Sequence, residues 1–338
     1  MGKKRMAPVR VWADGCFDLI HFGHANLLRQ AKLLGDYLIA GVPSDTETLT
    51  HKGLNVFTAE ERYEIVSSMK WVDEVARDAP YCTSVEVMRK YNCDFTVHGD
   101  DTPVSVTGEH ANFAVIKAGM YREVDRTEGI STTDIIDRVL LKTKAHHIDE
   151  LNDVSNSQPC SPAFLKKMKQ FSSKKKPKLG DSIVYVAGAF DCFHVGHVKF
   201  LEKAANMGDF LIVGVHSDKV VNRYCGENYP ILNLYERVLI LMACKFVDEV
   251  IFGAPLILNH DILDRYKINL VVQDKDISFE GCEPYKLAQK RDLLKVVDSG
   301  SSLTTEQIVN RINERRSIYL KRNDTKKTKE LIANGTNQ

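Results

Sequence analysis

Short, β-branched-rich apolar stretches at 10–13 and 183–187 are each followed by a segment with apolar residues at helical spacing, 25–34 and 198–207. Continuous apolar runs then follow at 37–42 and 210–215. Continuous runs of this length suit parallel strands covered on both faces, and the spaced pattern suits an amphipathic helix, so each stretch reads βαβ. Thr58-x-x-Glu61 and Asn233-x-x-Glu236 mark helix starts, because a Thr or Asn side chain satisfies free N–H groups while the acid reaches back. Further strands are expected at 72–76, 94–97 and 121–124, and again at 247–252, 269–272 and 294–297. Strand alternating with helix throughout predicts an α/β chain made of two tandem, Rossmann-like, doubly wound parallel-sheet domains.

The two halves are copies. Residues 11–45 return as 184–218 with 17 of 35 positions identical, a shift of 173 from His21 to His194. The shift is 175 from WVDEV (71–75) to FVDEV (246–250) and 172 from Thr132 to Thr304, so small insertions separate elements that persist. The expected organisation is a first domain over 1–141, a linker over 142–181, a second domain over 182–320 and a polar tail over 321–338 that prolongs the last helix before fraying. The linker assignment rests on NSQPCSP and SSKKKPK, with FLKKMKQF the one short apolar segment between them.

Composition narrows the class. Of 338 residues 43% are hydrophobic and 27% charged, and 46 Lys+Arg against 45 Asp+Glu leave a net charge of +1, which disfavours nucleic acid as the main partner. No run approaches the length of a membrane span, and Met1-Gly-Lys-Lys-Arg is not followed by an apolar leader. The expectation is a cytoplasmic protein whose Lys-rich linker gives an anionic surface such as the endoplasmic reticulum at most a peripheral contact. Eight cysteines, with no Cys-x-x-Cys pair, read as reduced thiols.

Candidate chemistry gathers after the first strand of each copy, in GCFDLIHFGH (15–24) and GAFDCFHVGH (188–197). In such sheets ligands bind at the carboxyl ends of strands, and the free N–H groups of the helix that opens there attract anions. Gly15 and Gly23 allow close backbone approach. His21 and His24, three apart, share one side of the first turn, where neutral imidazoles can donate to phosphate oxygens. The same spacing suits a zinc pair, with Asp18 or Asp191 as a further ligand, or two polar side chains at a helix start. In RTEGISTT (126–133) Arg126 supplies a fixed cation, and Ser131, Thr132 and Thr133 open the last helix of the copy as a second anion cradle or as ordinary helix caps. Asp100 and Asp101 follow the fourth strand, where carboxylates reach ribose hydroxyls, magnesium or an ammonium, or simply form a turn. Lys52 stands in an HKG turn. Arg62 reads as a surface partner of Glu61 or Asp73.

The signature at 15–24 resembles that of the nucleotidyltransferase superfamily carrying His-x-Gly-His, and 126–133 resembles the second motif of its cytidylyltransferase branch. The tandem arrangement is similar to the members of that branch that act on phosphoethanolamine. The resemblance implies CTP and phosphoethanolamine as substrates, with CDP-ethanolamine and pyrophosphate as products, in phospholipid biosynthesis. It implies catalytic roles for His21, His24, Lys52 and Arg126, with Lys52 bridging the two phosphates. CTP would be bound by Gly15, Cys16, Phe17, Asp18, Gly23, Asp100, Thr127, Gly129, Ile130, Ser131, Thr132 and Thr133. No metal site in the protein is expected, magnesium arriving with CTP. An intramolecular pseudo-dimer or a homodimer is the expected assembly.

The copies are not equivalent. Lys52 falls opposite Cys225, Arg126 opposite Asp298, and Asp100 opposite Lys275. The second copy is therefore expected to be catalytically degenerate. It keeps a weak nucleotide site over Ala189, Phe190, His194, Val195, Gly196, His197, Lys275, Ser302, Leu303, Thr304 and Thr305, Lys275 pairing with a phosphate, or it serves as a structural partner. Three readings stay open on the residues alone: this reaction, the same reaction on glycerol 3-phosphate or phosphocholine, and a CTP-binding regulator without turnover.

Overall fold

The computed structural model describes residues 7–100, 112–141, 162–277, 279 and 281–335. Cys160, Asp101 and the first half of the expected linker, 142–161, lie outside the described residues. The first repeat runs β1 (Arg10–Asp14), α1 (Phe22–Leu33), β2 (Tyr37–Val42), α2 (Asp45–His51), α3 (Ala59–Ser67), β3 (Glu74–Arg77), α4 (Val85–Lys90), β4 (Phe95–Gly99), α5 (Phe113–Lys117), β5 (Tyr121–Val124) and α6 (Thr132–Val139). After α7 (Pro162–Phe171), the second repeat runs β6 (Ile183–Gly188), α8 (Val195–Ala205), β7 (Phe210–His216), α9 (Asp218–Cys225), α10 (Leu234–Ala243), β8 (Glu249–Ala254), α11 (His260–Arg265), β9 (Leu270–Asp274), α12 (Lys286–Lys290), β10 (Leu294–Val297), α13 (Thr305–Glu314) and α14 (Arg316–Gly335).

Each repeat forms one five-stranded parallel sheet, in the orders β3-β2-β1-β4-β5 and β8-β7-β6-β9-β10. The two Rossmann-like α/β sheets are those expected, and every expected strand forms within two residues of its expected ends. The chain direction reverses its march across the sheet between β1 and β4, and between β6 and β9, which opens a crevice at the carboxyl ends of those strands. Trp12, Ile39, Met88 and Val115 pack one sheet's core, and Tyr185, Phe210, Ile262 and Val271 the other's. Thr58 makes the anticipated capping box with Glu61, and Asn233, expected as a helix start, makes one with Glu236 as well. α1 and α8 start three residues before the apolar periodicity does, because His21 and His194 cap them.

Two features of the packing bear on the organisation. Within the expected linker, α7 is a packed helix: Phe164, Met168 and Phe171 fall at helical spacing, both Phe side chains are buried, and the Phe164 ring lies 4.4 Å from that of Tyr235. The contiguous division at 141, 182 and 320 also differs from the packing. One compact unit takes in Met1–Ile136 and Ile308–Gln338, the other Asp137–Gln307. The region expected to be a tail is helical to Gly335, and α13 from Ile308 onward and all of α14 belong to the first unit. There Arg311 clasps Glu61 through two bonds of 2.8 and 2.9 Å, and Tyr319 is fully buried. In the second unit Arg138 clasps Glu236 at 2.7 and 2.9 Å, the equivalent bond by repeat position. No helix of the described residues is long and apolar enough to cross a membrane.

Candidate active site

In the first unit the chain leaves β1 through a turn in which Phe17 (φ 49°) and Leu19 (φ 46°) adopt left-handed backbone, a conformation that costs bulky residues energy. Burial of both side chains offsets that cost. The turn aims the histidines. His21 caps α1, and its Nδ1 accepts the Gly23 N–H at 3.1 Å, which puts the proton of the neutral ring on Nε2. A Cβ on Gly23 would lie 2.9 Å from that ring, so the glycine of the signature is what lets the ring close onto the helix end. His24 stacks on His21, centroids 3.9 Å apart, and packs against the Phe17 ring at 5.6 Å.

The second motif meets the first. Thr132 donates to the Asp18 carbonyl at 3.0 Å, the Ile130 side chain packs over Gly23, and Asn26 on α1 donates to Thr127 at 2.8 Å. Two helix N-termini, those of α1 and α6, are thus held at one crevice. Ser131 caps α6, accepting the Asp134 N–H and donating to its carboxylate, so ordinary capping accounts for its hydroxyl. Gly129 takes φ 86° in the exposed turn before it, and Thr133 is buried.

The remaining expected residues divide. Lys52, at the end of α2, and Arg126 are exposed, and neither forms an ion pair among the described residues. Asp100 accepts the Arg126 N–H at 3.2 Å, which places that cation beside the end of β4. Gly15 donates to Gly41, and the Cys16 carbonyl accepts from Arg62. The Asp18 carboxylate accepts the N–H groups of Val56 and Phe57 at 2.9–3.1 Å and is 4% exposed, so it clasps the following loop. Burial raises its pKa against the pull of those N–H groups.

Arg62 is a correction. It is fully buried, donating to Cys16 O at 3.0 Å and to Asp45 at 2.8 Å, and contacts neither Glu61 nor Asp73 as expected of a surface residue. Asp14 is marked by no motif. Its buried carboxylate at the carboxyl end of β1 accepts from Trp12 Nε1 at 3.1 Å and Thr83 Oγ1 at 2.9 Å, and burial raises its pKa. A charged residue ending an apolar strand was the available signal.

The second unit repeats the frame. His194 caps α8 and accepts from Gly196 at 3.2 Å, and His197 stacks on it at 3.7 Å. Burial, with the charge of His194, holds His197 well below the ordinary histidine range. Phe190 takes φ 51°, Val195 opens the helix, and Thr305 donates to the Asp191 carbonyl at 3.0 Å. The Leu303 carbonyl would lie 2.8 Å from a Cβ on Gly196. Thr304 caps α13 with Gln307, while Ser302 is exposed. Ala189 gives its carbonyl to Arg237, the buried counterpart of Arg62. Lys275, expected to meet a phosphate, pairs with Asp298 at 2.9 Å.

A profile of the cytidylyltransferase-like family matches residues 12–138 and 185–320. The chain is 44% identical to an ethanolamine-phosphate cytidylyltransferase of Mus musculus, covering 96% of this chain and 90% of that one. It is also 44% identical to an ethanolamine-phosphate cytidylyltransferase of Dictyostelium discoideum, covering 96% of each. A choline-phosphate cytidylyltransferase A of Rattus norvegicus is 48% identical over 136 residues, 39% of this chain and 37% of that one. With its signature present in both repeats and the second motif seated beside it, this chain belongs to the cytidylyltransferase-like family.

Proposed function

We propose that the first unit transfers the cytidylyl group of CTP to phosphoethanolamine, giving CDP-ethanolamine and pyrophosphate. The observation that carries the substrate choice is likeness over nearly the full length of both chains to relatives named for ethanolamine phosphate, against likeness over little more than a third of the chain to the choline-phosphate one. A phosphate oxygen of phosphoethanolamine attacks the α-phosphorus, the bond to the bridging oxygen breaks in line, and pyrophosphate leaves with that electron pair. The nucleophile is already an anion, so no general base is required. Catalysis reduces to positioning and charge stabilisation. His21, with Nε2–H as donor, and His24 beside it hold oxygens on which charge grows. Lys52 draws the two anions together, and Arg126 takes charge from the other side of the crevice.

Among the described residues no group of three or more His, Cys, Asp or Glu is placed to hold a metal ion. We assign magnesium to the substrate, as Mg–CTP, with the triphosphate as its principal ligand. For the second unit the proposal is weak nucleotide binding without turnover.

The test incubates the purified full chain with CTP, Mg2+ and, separately, phosphoethanolamine, phosphocholine or glycerol 3-phosphate, and measures pyrophosphate. Preferential release with phosphoethanolamine is expected. Preference for another alcohol phosphate would overturn the substrate, and CTP binding with no release from any would favour a regulator.

A further inference from the structure

The five residues after Lys52 form no regular structure before Thr58 caps α3, so their backbone groups must find partners elsewhere. The N–H groups of Val56 and Phe57 go to Asp18. The three successive carbonyls of Leu54, Asn55 and Val56 accept from Arg322 at 2.7 Å, Tyr319 Oη at 3.0 Å and Arg311 at 3.3 Å. The Arg322 stem also covers Gly53, lying 3.3 Å from where a Cβ would stand, and that glycine takes φ 104°. All these donors lie on α13 and α14, more than 250 positions along the chain and within the same compact unit.

In the second repeat the Ile231 carbonyl, the counterpart of that of Val56, likewise accepts from a distant arginine, Arg138 at 3.3 Å, but the carbonyl that matches that of Leu54 is tied locally. There Asn222 on α9 donates to the carbonyls of Gly226, Glu227 and Tyr229, the last at 2.7 Å. Tyr229 matches Leu54, since Asp191 grips Ile231 and Leu232 as Asp18 grips Val56 and Phe57. The first-repeat counterpart of Asn222 is Leu49, which is exposed and offers no side-chain donor. The repeat with the lysine has lost the local tie, and the repeat with the tie has cysteine in place of the lysine.

We propose that Tyr319 and Arg322 are positioning residues for Lys52, so that the last helix of the chain sets the turnover of the first site. The proposal rests on the role given to Lys52 above. A lysine ammonium at the end of a flexible stem finds the two phosphates only from a fixed Cα, and a misplacement of about 1 Å is enough to cost roughly 10²-fold in rate.

The experiment uses the full chain with Arg322→Ala, Arg322→Lys and Tyr319→Phe, each alone and with Lys52→Ala. Steady-state rates are read together with hydrogen exchange at the amides of residues 52–57. With Lys52 present, Arg322→Ala is expected to lower kcat/KM by roughly 10–100-fold and Tyr319→Phe by less, while Arg322→Lys, keeping one donor, restores most of the rate. With Lys52→Ala, Arg322→Ala is expected to change the residual rate by less than about twofold, because the two act on one step. Exchange at 52–57 should rise in Arg322→Ala and Tyr319→Phe, with the thermal midpoint nearly constant. Unchanged kcat/KM in Tyr319→Phe and Arg322→Ala, or equal losses with and without Lys52, would overturn the proposal. If Arg322→Ala does not fold, Tyr319→Phe, which removes one hydroxyl, carries the test alone. A wild-type chain that turns over nothing would defeat the functional reading, and the exchange data would still decide whether the helix holds the loop.

Discussion

Lys275 and Asp298 form an ion pair of 2.9 Å in the second unit, at positions where the first repeat carries the opposite charges, Asp100 and Arg126. The reversal changes what each crevice offers an anion. In the second unit the lysine is neutralised by its neighbour. In the first, Asp100 is held by the backbone N–H of Arg126, and the guanidinium stays exposed. Arg126→Asp, which copies the second repeat, is expected to lower pyrophosphate release by about 10²-fold or more, by analogy with removing one charge-stabilising donor. Asp298→Arg is expected to change it by less than about threefold. Equal effects from the two would remove the distinction between the units.

The His21–Gly23 bond predicts a loss without loss of the fold. In Gly23→Ala the new methyl would stand 2.9 Å from the imidazole, which must swing off the helix end and surrender the tautomer that puts the proton on Nε2. Turnover is expected to fall about as far as in His21→Ala, roughly 10²–10³-fold. Circular dichroism should show the helix content of wild type. His194→Ala is expected to cost far less. A Gly23→Ala enzyme with wild-type kcat would mean the ring's placement is irrelevant to the chemistry.

Buried arginines make the stability predictions. Arg237 is fully buried and donates to the carbonyls of Leu232, Ala189 and His216 as well as to Asp218, itself 2% exposed. Arg237→Met takes the guanidinium from a buried carboxylate and is expected to destabilise by about 3–5 kcal/mol. The partner of Arg62, Asp45, has a side chain 53% exposed, so water replaces the lost bond. Arg62→Met is expected to cost about 1–3 kcal/mol. Urea unfolding of the two variants checks the order. Arg62→Met as the more damaging would contradict it.

The central strands were legible because parallel strands covered on both faces are apolar throughout, as 37–42 and 210–215 are, while the equally apolar run at 238–243 is helical and is told apart by the cap at Asn233. The meeting of the two motifs was legible from their places at a strand end and a helix start, and Thr132 and Thr305 duly reach the Asp18 and Asp191 carbonyls. Arg62 was not, since a charged residue one turn into a helix looks solvated until the carbonyl beneath it, that of Cys16, is known to need a donor. The loop clasp of Asp18 was equally hidden. Its partners are backbone amides, which leave no mark on a sequence. The clasp of Arg311 on Glu61 links residues 250 apart, and only the capping-box role of Glu61 could be anticipated.

His216 gives the second unit a pH dependence whose sign is fixed. Its ring is 1% exposed, with Nδ1 3.1 Å from Tyr224 Oη and the Arg237 guanidinium on its carbonyl. Burial, and then the charge of Arg237, lowers its pKa to about 4. The unfolded chain keeps an ordinary value of about 6.5, so between pH 6.5 and 4 it binds a proton that the native chain does not. Stability from this group is therefore complete above pH 6.5, falls as the pH drops, and levels off below about 4, a total of about 3 kcal/mol. His216→Gln removes the titration while leaving every carboxylate in place. The groups that shift the other way, Asp191 among them, cancel when the variant is subtracted from wild type. The difference in urea-unfolding free energy between the two proteins is expected to shrink by about 3 kcal/mol from pH 7 to pH 4. A difference that stays constant over that range would mean the native ring titrates as it does in the unfolded chain, and so is solvated.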